Sequence, residues 1–229
     1  MTISLKSTAR MAGFMYLAAS LTGAFNLLYV PSQLFVMDDP QATLAKIMSS
    51  EILFRQGIVG GVVSGVLFLA LPVVLYSLLE SFGRIWAGLM VAFAAVGVGM
   101  AFVGTQAYLG VLALVDGAGG PGDGPLALQV MDHIHAHHQA ESVASIFWGL
   151  WLLPLGWLIV KSRAMPRFLG VLLLLGCTGY LANFLLPLLV PGYSATILPY
   201  LVVIPGAFGE LGTCLWLLIF GLRNRPGEV

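Results

Sequence analysis

Polar residues punctuate this chain at long intervals. Between them lie apolar runs near Met11–Val36, Gln56–Leu79, Ile85–Leu109, Ser142–Val160, Phe168–Leu189 and Leu198–Leu222. Each run is close to the roughly 20 apolar residues that an α-helix needs to cross a bilayer. None shows the period-two alternation of a barrel strand, and in lipid only helices satisfy every backbone group of such segments internally. The pattern predicts an all-α, polytopic membrane protein: one integral-membrane domain over residues 1–229, a bundle of six transmembrane helices.

The connections refine this. "ESFGR" and "KSRAMPR" are short, which makes neighbouring helices antiparallel. "DDPQATLAKIMSSEILF" is longer. Asp39 is a suitable N-cap, Pro40 suits the first helical position, and the mixed polarity predicts a short interfacial helix. "DGAGGPGDGP", residues 116–125, has the composition of a flexible linker. The following "LALQVMDHIHAHHQAE" contains no breaker and is expected to extend the fourth span outward as one long helix. Lys6 and Arg10 before an apolar core, with Thr22-Gly23-Ala24 beyond it, resemble a signal peptide; the apolar run continues well past them, so an uncleaved first helix is expected. An offset of 82 residues sets Leu71-Pro72 on Leu153-Pro154, Gly88 on Gly170 and Gly97 on Gly179, a weak hint of a parallel duplication.

Composition agrees. The chain is 59% hydrophobic and 9% charged, against about 45–50% and about 25% in soluble domains. Mean hydropathy is +0.96. Net charge is zero with no basic block, which removes the electrostatic footprint of a nucleic-acid binder. Lys6, Arg10, Arg84, Lys161, Arg163, Arg167, Arg223 and Arg225 fall on one side of the spans, and only Lys46 and Arg55 on the other. This bias predicts that both termini are cytoplasmic. Cys177 and Cys214 lie inside apolar runs and read as small core residues.

Two features stand out as candidate chemistry. The first is "MDHIHAHHQAE", which holds all four histidines. On a helix His133, His137 and Glu141 recur at i, i+4 and i+8 along one face, with His138 further round and His135 opposite. Two imidazoles and a carboxylate suit zinc or iron. His133 and Glu141 would stand about 12 Å apart along the axis and cannot share an ion. A single ion would take His133 with His137, or His137 and His138 with Glu141. The second is Glu210, midway along the sixth span, with Pro205 one turn before it and Gly206, Gly209 and Gly212 around it. A carboxylate there costs about 2.5–3.5 kcal/mol on insertion scales, so it is expected to face the bundle interior. Asn26, Gln33, Arg55, Gln56, Gln106 and Asn183 also sit in apolar surroundings. No lysine lies within a span, and phosphate loops, nucleophile elbows and H-E-x-x-H are absent.

"SEILFRQGI", "FWGLWLLPLGWLIVKSRAMPRFLGVLLLLGCTGYLANFLLP" and "GELGTCLWLLIFGLR" resemble a bacterial family of multi-pass membrane proteins defined only as a domain of unknown function. The resemblance implies the helical fold and a bacterial inner (plasma) membrane, and it implies no catalytic role. The histidine-rich stretch is not part of it.

These observations lead to one expected site, opening outward and built from Glu210, His137, His138, Glu141, Arg55 and Asn183. Asn26, Gln56 and Gln106 would be further ligand-binding residues. It would bind a small molecule, a lipid-like ligand or a metal, and in a catalytic version Glu210 or a metal-held water would be the base. The alternatives are a small proton-coupled transporter using Glu210, and a structural or partner subunit.

Overall fold

The computed structural model describes residues 5–117 and 122–222. Arg223 and Arg225, and residues 118–121 of the glycine-rich linker, lie outside the described residues. Six helices among them are long and apolar enough to cross a membrane. They are α1 (Leu5–Leu34), α3 (Glu51–Phe82), α4 (Arg84–Asp116), α5 (Gly124–Ser162), α6 (Arg167–Leu189) and α7 (Leu198–Ile219). A shorter helix, α2 (Pro40–Ser49), follows α1. No strand occurs among the described residues.

The helix ends follow from local chemistry. Asp39 caps α2 by accepting from the Ala42 N–H at 2.9 Å, with Pro40 at the first helical position. Arg163 closes α5 in a left-handed conformation at φ 55°, and its N–H reaches the Ile159 carbonyl. The expected extension of the fourth span as one long helix is present. α5 runs for 39 residues, about 58 Å at 1.5 Å per residue. A hydrocarbon core is about 30 Å thick, so α5 is longer than a single crossing requires. In α1, Phe25–Tyr29 widens into a π-helical turn in which the Val30 N–H bonds the Phe25 carbonyl. Pro31 follows at once and has no N–H for the regular ladder.

Two compact units make up the chain. The first takes Met1–Ala18, Leu67–Val98 and Val143–Val229. Its core gathers Ala12 and Tyr16 of α1, Leu71 and Leu75 of α3, Met90 of α4, Trp151 and Leu155 of α5, Cys177 of α6 and Cys214 and Leu217 of α7. Lipid is as apolar as leucine, so these helices are joined by close packing instead of water exclusion. A Cβ added to Gly176 would stand 2.5 Å from the Gly206 Cα, so α6 and α7 touch backbone to backbone. The second unit takes Ala19–Val66 and Gly99–Ser142. Val30 and Leu34 of α1, Leu44 and Ile47 of α2, Phe54 of α3, Tyr108 and Val111 of α4 and Val130 and Ile134 of α5 form its core. Here Ser64 of α3 donates to the Ala19 carbonyl of α1 at 2.8 Å. Large apolar side chains such as Leu28, Ile85, Leu189 and Phe208 remain exposed, as a lipid-facing surface requires.

One of the pairs matched by the 82-residue offset differs in its surroundings. A Cβ on Gly170 would meet the Gly156 carbonyl oxygen at 2.6 Å, whereas one on Gly88 would meet nothing within 4 Å.

Candidate functional site

Glu210 organises the first unit. The glycine spacing of α7 sets its backbone on α6: a Cβ on Gly209 would lie 3.0 Å from the Leu173 nitrogen. That approach carries Glu210 between helices. The Tyr16 hydroxyl of α1 donates to Glu210 Oε2 at 2.7 Å, across 194 residues of sequence. The Tyr180 hydroxyl of α6 hydrogen-bonds the same carboxyl. Tyr16 is itself aimed: its ring meets Trp151 edge to face at 5.7 Å and 66°, and Trp151 meets Phe68 at 4.8 Å and 79°. Among the described residues, Glu210 forms no ion pair with a basic side chain. One turn further along α7, Thr213 is wholly buried, and its hydroxyl has no hydrogen-bond partner among the described residues.

Asn183 lies one turn beyond Tyr180 on α6, but its amide faces other work. Nδ2 donates to the Pro199 carbonyl at 2.9 Å, and Oδ1 accepts from the Tyr193 hydroxyl at 2.8 Å. It stitches the end of α6 to the start of α7.

The histidines belong to the second unit. His137 is 2% exposed. Its Nδ1 lies 3.0 Å from the Gly104 carbonyl oxygen, and its ring stacks on Tyr108 at 3.6 Å and 20°. Nε2 lies 3.8 Å from Glu141 Oε1. The other histidines have different neighbours, although the His138 ring stands 6.2 Å from that of His137. A Cβ on Gly110 would lie 2.5 Å from the His133 ring, placing that ring on α4. His138 is exposed and meets Phe35 edge to face, and His135 is exposed. No three His, Cys, Asp or Glu side chains converge as a metal centre among the described residues. Arg55 is exposed and engaged by Glu51 at 2.6 Å and Asp116 at 3.0 Å. Gln56 and Gln106 are exposed. Asn26 is buried, with its amide against Gly61 of α3. Of the expected site residues, Glu210 and Asn183 thus fall in one unit, and Asn26, Arg55, Gln56, Gln106, His133, His137, His138 and Glu141 in the other.

Sequence reasoning passed over Tyr16, Tyr180 and Tyr108. A signal was present for Tyr180, because tyrosines in membrane helices concentrate at the interfaces, and a phenol in mid-span needs a polar partner.

The fold and these buried polar side chains define a six-span, α-helical protein of the multi-pass membrane type. The chain belongs to the family described as Domain of unknown function (DUF4386), whose model matches residues 11–221. It is 35% identical over 97 residues to an uncharacterized protein of Archaeoglobus fulgidus. That match takes 42% of this chain and spans only 56% of the relative's length. No solved structure matches. The family of unknown function expected from the sequence is therefore the one found.

Proposed function

We propose that this protein is a small proton-coupled membrane transporter in which Glu210 carries the proton. The observation that supports this best is a mid-span carboxyl bonded by two phenols and by no cation among the described residues. In lipid a bare carboxylate is expensive and needs a compensating positive charge. With no Arg or Lys paired to it among the described residues, that charge arrives as a proton or as a cationic substrate. Tyr16 and Tyr180 donate to the carboxyl and, as hydroxyl groups, can also pass a proton. Pro205 and the glycines of α7 let this helix re-seat around the site. We further place both termini in the cytoplasm and the protein in the inner membrane of a bacterium, the polar half of α5 facing outward.

The test uses liposomes holding the full chain, with an internal pH dye and an imposed proton gradient. A panel of monovalent organic cations is added outside, and proton movement is followed. Coupled flux that disappears in Glu210→Gln supports the reading. Absence of flux with every cation, alongside intact folding, overturns it. A second reading rests on the partial exposure of the Glu210 side chain in mid-span: a lipid-like ligand reaches the carboxyl and is bound, or attacked, there. Co-purified lipid lost in Glu210→Gln would favour that reading.

A further inference from the structure

We propose that His137 and Glu141 form the protein side of a divalent-metal site of the zinc class, with the ion lying between His137 Nε2 and the Glu141 carboxylate. The Gly104 carbonyl can only accept, so the 3.0 Å contact requires a proton on His137 Nδ1. Nε2 is then the lone-pair nitrogen. It is buried and looks toward Glu141, and neither it nor the buried Glu141 Oε2 has a hydrogen-bond partner among the described residues. Two electron-pair donors facing each other out of water repel unless a positive charge lies between them.

The spacing leaves room for an ion. A shared proton draws N and O to about 2.7–2.9 Å. Here Nε2 and Oε1 are 3.8 Å apart, too long for a hydrogen bond. Zinc bonds of about 2.0–2.1 Å to imidazole and about 2.0–2.2 Å to carboxylate span up to about 4.3 Å, so one ion reaches both atoms. The surroundings fit as well. A ring N–H given to a backbone carbonyl is the usual outer support of a metal-bound histidine. The Tyr108 ring, stacked at 3.6 Å, holds the imidazole plane. Two protein ligands leave the rest of the coordination shell for water or for an oxygen atom of a ligand, one protein donor fewer than the three of a catalytic zinc site.

The test titrates zinc chloride into the detergent-purified full chain, tag removed, by calorimetry. X-ray absorption at the zinc edge follows. The expected result is one equivalent of zinc with a single imidazole in its shell. Affinity should fall at least tenfold in Glu141→Gln and in His137→Asn, and stay unchanged in His135→Ala. If His137→Asn fails to fold, Glu141→Gln decides alone, since it keeps the side chain's shape. Absence of a stoichiometric site overturns the proposal. So does affinity that survives Glu141→Gln, or that is lost in His135→Ala.

Discussion

Replacing Tyr16 by phenylalanine removes one hydroxyl and little else. The ring stays in its buried place, and its edge-to-face contact with Trp151 does not use the oxygen. What is lost is the 2.7 Å bond to Glu210. A hydrogen bond to a charged group contributes about 1.5–3 kcal/mol. Side-chain bonds between membrane helices average about 0.6 kcal/mol and reach about 1.7. The loss in Tyr16→Phe therefore reports the charge of Glu210: about 2 kcal/mol or more for a carboxylate, about 0.6 for a neutral carboxyl. Tyr180 still donates, so Glu210 keeps one partner and the larger penalty of a mid-span acid left without any donor does not enter. The assay is reversible unfolding in bicelles, run as a double-mutant cycle of Tyr16→Phe with Glu210→Met, which removes the acceptor at nearly constant volume. The coupling energy isolates the bond. A coupling within error of zero would show that α1 and α7 are not joined through this pair and would refute the geometry of the site.

Further outcomes follow from the packing and the charges. Gly176→Ala should cost more than about 2 kcal/mol of bundle stability, because its Cβ would meet the Gly206 backbone and not the far end of a flexible side chain. Gly88→Ala, with open space at that point, should cost nothing in the same unfolding assay. Gly110→Ala should destabilise through its clash with the His133 ring, and His133→Ala should relieve most of that loss in the double variant. Arg55→Gln should shift stability only slightly, and added salt should erase the difference, because its ion pairs with Glu51 and Asp116 are exposed. In a chain with Cys177 and Cys214 replaced, an impermeant maleimide should label Ser49→Cys from outside the cell and Ser81→Cys only from the cytoplasmic side; both positions are exposed. The opposite pattern would reverse the assigned orientation.

Much of this architecture can be read from one dimension. The six spans, the capped α2 after Asp39 and the long α5 depend on run length, local capping and the absence of breakers. Lipid leaves such segments no alternative to the helix. Glu210 is conspicuous for the same reason, as a charge has no inexpensive place in mid-span. What the linear pattern does not contain is the identity of a partner. Tyr16 meets Glu210 across 194 residues, because glycine faces let α1, α6 and α7 approach closely enough for side chains of different helices to meet. Helical periodicity puts His133, His137 and Glu141 on one face, yet tertiary packing gives only His137 a carbonyl, a phenol ring and a carboxyl, and turns the other rings elsewhere. Asn183 and Arg55 look like open ligand groups in the sequence, and in the fold their polar atoms are taken by Pro199 and Tyr193, and by Glu51 and Asp116. Which polar groups remain available is decided by which neighbours arrive first, and neighbours are set by packing between helices, where composition and period are silent.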